Sequence, residues 1–262
     1  MAVSTANANS REEGRAPLPL TSRHDTWWIR PVVTMIVLGA FVIYSTWRAF
    51  VYQDYEVDSY LSPFYAPIIP LNWSIFGYLI SPAFYILIFP LSFRLTCYYY
   101  RLSYYRAFFW DPPACGVSEP RPKARMKYTG ERRFPFILQN LHRFSFYAAA
   151  VFVVLLTYDA IISLWHADGF HLNVGTIVLA VNAVLIGLYT FSCHSFRHLI
   201  GGGINCYSCS NAYKTRHGIW QRVSLLNARH GLFAWCSLFS VALTDLYVRL
   251  VASGALQDLR FF

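Results

Sequence analysis

Cysteine and histidine residues that could bind a metal gather in the last third of the sequence. Cys206 and Cys209 form a C-x-x-C pair, and His194 and His198 lie four residues apart, on one face of a helix. Two thiolates and two imidazoles are the ligand set of structural zinc and of a Rieske-type [2Fe–2S] cluster. We therefore predict a metal site at Cys206 and Cys209 with two of His194, His198 and His230, the alternatives being structural thiols or a redox dithiol. The other cysteines of interest are expected to pack as small apolar side chains, namely Cys97, Cys115 and Cys236.

The composition indicates an integral membrane protein. Of 262 residues, 56% are hydrophobic, 18% are aromatic and only 13% are charged, whereas average chains carry about 25% charged residues. This excludes a disordered chain and a disulfide-rich secreted module. It also excludes a soluble nucleic-acid binder, despite the net charge of +9, so no nucleic-acid partner is expected.

Five apolar stretches are long enough to cross a bilayer, which takes about 20 residues per helix. They cover approximately residues 32–50, 72–97, 136–165, 171–199 and 227–251. Pro82 and Pro90 predict kinks in the second stretch. The sequence therefore predicts an all-α fold, a polytopic five-transmembrane-helix bundle. It forms a single domain over residues 31–262, after an N-terminal segment of residues 1–30 that has no signal peptide.

Basic residues predict the orientation, because cytoplasmic loops carry an excess of Lys and Arg. Residues 94–133 hold nine basic and three acidic residues, and residues 196–230 hold five basic residues and no acid. We predict a cytoplasmic N-terminus, an outer C-terminus, and cytoplasmic loops at 98–135 and 200–226. The aromatic and basic side chains of the first of these loops favour docking of a cytoplasmic partner. A disulfide between Cys206 and Cys209 is not expected on this reducing side, which favours a metal.

Two motifs resemble the cytochrome b-like membrane anchors of succinate dehydrogenase and fumarate reductase (respiratory complex II). Residues 141–145 (Leu-His-Arg-Phe-Ser) resemble the His-Arg-x-Ser signature with which one membrane helix of that family begins. Residues 195–199 (Ser-Phe-Arg-His-Leu) resemble the Gly-x-Arg-His-Leu-like signature that ends the next helix, with Ser195 where glycine is usual. The two motifs lie on the third and fourth predicted helices, in the family's order and direction.

The resemblance implies a multi-pass protein of the bacterial inner (plasma) membrane that anchors the flavoprotein and iron–sulfur subunits of succinate dehydrogenase. The complex would be a higher oligomer among membrane lipids, and succinate itself would be oxidised by the partners, so no catalytic residue is assigned to this chain. Its quinone, either menaquinone or ubiquinone, would be bound by four residues of the two motifs. These are His142, Arg143, Ser145 and Arg197.

The haem-binding position of the family is not occupied by a histidine in this sequence. Its haem-ligating histidine lies seven residues before the histidine of the Arg-His pair, and that position is Phe191 here. A Rieske-type [2Fe–2S] cluster at Cys206 and Cys209 is the replacement that we predict. The alternatives are a b-type haem cytochrome subunit, with axial ligands among His142, His194, His198 and His230, and a non-redox membrane bundle with structural zinc.

Two carboxylates lie in the outer halves of predicted spans, where ionisable side chains commonly mark proton or ligand routes. Asp159, with Tyr158 beside it, is predicted to serve an outer quinone site or a proton route. Asp245 has Arg249 one helical turn later, which favours an ion pair.

Overall fold

A computed structural model describes residues 26, 28–51, 53–68, 74–75, 78–79, 81–109, 132–134 and 136–261. The chain divides into two compact units. The first comprises residues 1–36 and 102–128, and its described residues are mostly helical. The second comprises residues 37–101 and 129–262, and all contacts discussed below lie within it. Most of the predicted N-terminal segment 1–30, and much of the predicted loop 98–135, lie outside the described residues.

The described residues form helices joined by short hairpins. The helices are α1 (Ile29–Phe50), α2 (Pro82–Ile86), α3 (Ile88–Thr96), α4 (Tyr98–Phe109), α5 (His142–Ile162), α6 (Val174–Phe191), α7 (His194–Gly201), α8 (Asn211–Asn227) and α9 (His230–Ala252). A 3-10 helix, Phe136–Leu141, leads directly into α5. Three antiparallel hairpins pair β1 (Glu56–Val57) with β2 (Tyr60–Leu61), β3 (Ser74–Ile75) with β4 (Tyr78–Leu79), and β5 (Trp165–His166) with β6 (Gly169–Phe170). The fold is thus helical, and the all-α prediction omitted only these two-residue strands.

In the part of the chain that the structure describes, four helical segments are long and apolar enough to cross a membrane: α1, Phe136–Ile162, α6 and α9. The predicted second span, 72–97, is wrong in its first part, because β3 and β4 lie there and the apolar helical part runs only over Pro82–Thr96. That part is divided at Leu87 into α2 and α3. Pro82 and Pro90 each stand in the first turn of their helix, where no backbone N–H is needed, so the prolines define two short helices rather than kinking one long helix.

The predicted fourth span, 171–199, also divides. Helix α6 ends at Phe191, and α7 begins at His194 as a separate helix. Helix α8 occupies most of the predicted loop 200–226, and it begins where the Ser210 hydroxyl accepts a hydrogen bond from the Tyr213 backbone N–H at 3.2 Å. Histidines 194 and 198 therefore do not continue the apolar helix on which the sequence placed them.

The core forms where α5 packs on α3 and α6, and where α6 packs on α9. Small residues such as Ala160 and Ala183 are buried at these contacts, which lets the helices approach closely. The predicted ion pair between Asp245 and Arg249 is confirmed, with Arg249 Nε 3.0 Å from Asp245 Oδ2 and both side chains buried. The Tyr44 hydroxyl also donates to Asp245, at 2.6 Å.

The end of the chain folds back on the start of α6. The Asp258 carboxylate accepts hydrogen bonds from the hydroxyls of Tyr60 and Tyr247, both at 2.6 Å, and from the Gly175 N–H at 3.1 Å. Burial, followed by the hydrogen bond to Asp258, raises the pKa of Tyr60, so its hydroxyl stays protonated and remains a donor. This polar cluster lies at the helix ends that are predicted to be on the outer side of the membrane.

Candidate metal centre

The C-x-x-C pair is not available as two thiolates in the structure. Cys206 and Cys209 are joined in a disulfide in the segment between α7 and α8, with their Cα atoms 5.7 Å apart. The expectation that no disulfide forms here was wrong, because the segment brings the two residues within the range that a disulfide spans.

The predicted histidine ligands His194, His198 and His230 line one cavity, whose lining does not include Cys206 or Cys209. His194 and His198 are exposed on α7, with their Nε2 atoms 2.9 Å apart in a hydrogen bond to each other. Burial, and then the charges of His198 and Arg197, lower the pKa of His194, which favours its neutral form. Within the described ranges, no three or more His, Cys, Asp or Glu side chains are placed to hold one metal ion. The predicted ligand set is therefore not brought together.

Two other Cys–His pairs do meet. Cys97 Sγ lies 3.4 Å from His230 Nε2, and Cys193 Sγ lies 3.0 Å from His142 Nε2. All four residues line one cavity of about 690 Å³, which we call the Cys–His cavity. Cys97 follows α3, His142 begins α5, Cys193 separates α6 from α7, and His230 begins α9. Four helix ends thus present two thiols and two imidazoles to a common space.

The hydrogen bonds around His142 define which ring nitrogen carries the proton. Its Nδ1 lies 3.0 Å from the Thr96 hydroxyl, and that hydroxyl donates its own proton to the Ser92 carbonyl at 2.7 Å. His142 Nδ1–H must therefore be the donor to Thr96. The Nε2 lone pair is left facing the Cys193 sulfur, which is the arrangement of a metal-ligating histidine whose other nitrogen is held by an outer partner.

His230 is held in the same way. Its Nδ1 lies 2.8 Å from the Ser192 hydroxyl, which donates its proton to the Tyr189 carbonyl at 3.1 Å. The Nε2 lone pair of His230 is then left facing the Cys97 sulfur. Both imidazoles also stack on aromatic rings: His142 on Phe93 at 4.8 Å between centroids, and His230 on Tyr189 at 5.0 Å. The two side chains are fixed by hydrogen bonds and by packing.

The four predicted quinone residues separate into two groups. His142 and Arg143 line the Cys–His cavity. Ser145 is buried and bonds with the Ser92 hydroxyl at 3.0 Å, while Arg197 donates to the Ser224 hydroxyl at 2.9 Å. Neither Ser145 nor Arg197 is among the cavity's lining residues.

Comparison of the sequence with known protein families identifies the family of this chain. A family model of the actinobacterial succinate dehydrogenase subunit SdhC matches residues 29–254. The chain belongs to this SdhC family. A solved chain of the Mycobacterium smegmatis Sdh1 complex in the apo form is 45% identical to it, with a TM-score of 0.82, over 95% of this chain and 97% of that chain. No match is found among curated proteins.

The SdhC chain is therefore a membrane anchor subunit of succinate dehydrogenase, and the resemblance read from the two motifs is confirmed. It is a multi-pass protein of the bacterial plasma membrane, and its partners are the flavoprotein and iron–sulfur subunits. Residues of both motifs line the Cys–His cavity, among them His142, Arg143 and His198.

Asp159 and Tyr158, which were predicted to serve an outer quinone site or a proton route, do not line a described cavity of this chain. Asp159 is half-buried, and its Oδ2 has no hydrogen-bond partner within the part of the chain that the structure describes. Tyr158 is 60% exposed on α5. Neither residue lines either of the cavities described for this chain.

A second cavity of the SdhC chain, of about 350 Å³, lies among α1, α3, α5, α6 and α9, and we call it the apolar cavity. Phenylalanine rings dominate its lining, among them Phe41, Phe64, Phe84, Phe93 and Phe152. Its polar lining includes Arg94, Tyr189 and Thr190. Phe93 and Tyr189 are the same rings that stack on the two imidazoles of the Cys–His cavity.

Proposed function

We propose that this anchor subunit carries electrons from its soluble partners to quinone through a Rieske-type [2Fe–2S] cluster. Its ligands would be Cys97, Cys193, His142 and His230. The observation that carries the proposal is the pair of fixed imidazoles, each with its Nε2 atom directed at a cysteine sulfur in one cavity. Two cysteines and two histidines are the ligand set of such a cluster.

A binuclear cluster suits these residues better than a single zinc ion. Structural zinc needs four donors about 2.0–2.3 Å from one ion. Among the described residues no such convergence on one ion occurs, and the four side chains form two separate pairs. A Rieske-type cluster holds one iron by two cysteines and the other by two histidines, so its four ligands do not have to converge on one atom.

The surroundings of the four side chains fit a redox centre. When bound, the cluster supplies a one-electron carrier. Thr96 and Ser192 orient the imidazoles through their Nδ1 atoms, and such outer partners tune the basicity of a metal ligand. Cys97, Cys193 and His142 are each less than a tenth exposed, so water is largely excluded from the site.

The proposed direction of electron flow follows from the predicted topology. The Cys–His cavity lies at the helix ends that the charge pattern predicts to be cytoplasmic, next to the helices α7 and α8. The iron–sulfur subunit would dock on this face. Its electrons would then enter the membrane subunit at the Cys–His cavity.

The experiment uses the purified complex, with Cys97→Ser and Cys193→Ser as the test variants. The matched controls are Cys236→Ser, a free cysteine outside both cavities, and the double variant Cys206→Ser/Cys209→Ser. Each sample is measured by low-temperature EPR, optical redox spectroscopy and iron analysis. Electron transfer from succinate to a soluble dye verifies that the partner subunits are assembled and active.

We expect both test variants to lose one Rieske-like signal and two irons per complex, with dye reduction retained and the controls unchanged. Loss of that signal only in the Cys206/Cys209 variant would contradict the ligand assignment. A reduced haem α-band in the unaltered complex would establish the b-type cytochrome instead. Zinc in place of the additional iron would establish a structural site.

A further inference from the structure

Arg94 carries a positive charge that no carboxylate balances within the described part of the chain. It lies in α3 and is partly buried, and no Asp or Glu of that part lies within ion-pair distance of it. Neutral groups hold its guanidinium instead. Arg94 Nη1 donates to the Tyr100 hydroxyl at 2.6 Å, and Nη2 donates to the Ser237 hydroxyl at 3.1 Å. A charge removed from water is costly unless it is paired, so this guanidinium suits a negative charge that the chain itself does not supply.

The Arg94 guanidinium lies beside one of the two Cys–His pairs. Its Nη1 is 3.4 Å from the carbonyl oxygen of Ala234, which follows His230 by about one helical turn in α9. Its Cζ lies over the Tyr189 ring, 4.8 Å from the centroid, and the same ring stacks on His230 at 5.0 Å. Arg94 also precedes Cys97 by three residues, and its charge acts on both Cys97 and His230. This Cys–His pair therefore lies in the electric field of Arg94.

We infer that Arg94 raises the reduction potential of the metal centre in the Cys–His cavity and so favours electron transfer into the anchor. This inference rests on the proposed function, because it concerns the proposed cluster. An electron that arrives from the partner's iron–sulfur subunit adds one negative charge beside Cys97 and His230. Arg94 stays protonated throughout, no bond to it forms or breaks, and it does not touch the ligands. Its positive charge attracts the added electron, which stabilises the reduced state.

Arg143 provides a comparison within the same chain. It also lines the Cys–His cavity, but it is exposed, whereas Arg94 is partly buried. Water and ions screen an exposed charge more strongly than a buried one. If burial decides the effect, Arg94 has the larger influence on the reduction potential, even though Arg143 lines the cavity.

The test variants change the charge and the hydrogen bonds of Arg94 separately. Arg94→Gln removes the charge, and Arg94→Lys keeps it. Ser237→Asp places a carboxylate beside the guanidinium and neutralises it without removing it, while Ser237→Ala removes only the hydrogen bond. Arg48→Gln is the matched control, because the Arg48 guanidinium lies 4.2 Å over the Trp47 ring and Arg48 lines neither cavity. Arg143→Gln tests the exposed charge.

In each purified complex the EPR signal of the proposed cluster is titrated against the solution potential. Electron transfer from succinate to a soluble dye verifies that the partner subunits are assembled. We expect Arg94→Gln to lower the equilibrium constant for one-electron reduction about tenfold, which is a fall of about 59 mV in midpoint potential. Ser237→Asp should shift the potential in the same direction, and Arg143→Gln should shift it less. Arg94→Lys, Ser237→Ala and Arg48→Gln should remain close to the unaltered complex.

The outcomes separate this inference from the proposed function. A cluster signal whose potential is unchanged in both Arg94→Gln and Ser237→Asp would overturn the inference and leave the proposed cluster in place. An equal fall in Ser237→Ala would also overturn it, because the hydrogen bond rather than the charge would then be responsible. If Arg94→Gln does not assemble, Ser237→Asp against Ser237→Ala decides the question. A missing cluster signal in the unaltered complex would contradict the proposed function and the inference together.

Discussion

The Cys–His cavity and the apolar cavity are both bounded by α5 and α9, yet their linings differ in chemistry. In the Cys–His cavity the ring N–H groups are bonded to Thr96 and Ser192, which leaves the Nε2 atoms directed at cysteine sulfurs. The apolar cavity is lined mainly by aromatic and aliphatic side chains, and Arg94 adds a positive charge. The first arrangement suits a cation, and the second suits an apolar group.

The two cavities also draw their lining from different parts of the fold. Four helix ends bring side chains from distant parts of the sequence to the Cys–His cavity, whereas the apolar cavity is lined by residues of α1, α2, α3, α5, α6 and α9 and by Pro63 and Phe64. Two cavities of different chemistry thus lie side by side in one helix bundle.

The largest expected effect separates the ligand set proposed from the structure from the one that the sequence predicted. His142→Ala removes a fixed imidazole from the Cys–His cavity, so we expect complete loss of the proposed cluster signal and of quinone reduction. His198→Ala removes an exposed imidazole of the same cavity that is hydrogen-bonded to His194, and we expect the signal to remain. The EPR signal is compared between the two variant complexes. The reverse pattern would favour the ligand set predicted from the sequence.

A second effect concerns a polar group that lies in neither cavity. Asp245→Ala leaves Arg249 as a buried charge without its partner, which typically costs about 3–5 kcal/mol. We expect a large fall in the thermal unfolding temperature of the complex in detergent, with an unchanged KM for quinone in the folded fraction. The control is Asp168→Asn, whose ion pair with Arg260 is exposed and should matter little. A raised KM in Asp245→Ala would show that the buried pair also serves the quinone.

The smallest effect is expected at Asp159. Its carboxylate is half-buried, has an unpartnered oxygen in the described structure and lines neither cavity. We expect Asp159→Asn to leave quinone reduction nearly unchanged, since the carboxylate lines neither cavity. Steady-state kinetics across pH checks this. A large loss of quinone reduction would support the predicted outer quinone site or proton route.

The sequence predicted the membrane class and most of the helices because long apolar runs are a strong local signal. It failed where local signals conflict. Pro82 and Pro90 divided one apolar stretch into short helices, and the fourth stretch was extended eight residues beyond Phe191, the end of α6. A long apolar run indicates that a segment can lie in the bilayer, but it does not indicate where a helix ends.

The candidate site was predicted only in part: His230 was among the predicted metal ligands and His142 among the predicted quinone residues, but Cys97 and Cys193 were assigned to no site. The C-x-x-C pair is visible as a spacing, whereas Cys97, His142, Cys193 and His230 come from four separate helix ends and have no common spacing. A usable signal was nevertheless present. All four residues fall near the ends of predicted spans on the same predicted side of the membrane, so topology alone placed them at one depth.

The rings of Phe93 and Tyr189 link the walls of the two cavities. Each ring stacks on an imidazole that lines the Cys–His cavity and also lines the apolar cavity. A movement of either imidazole would therefore change the shape of the apolar cavity as well.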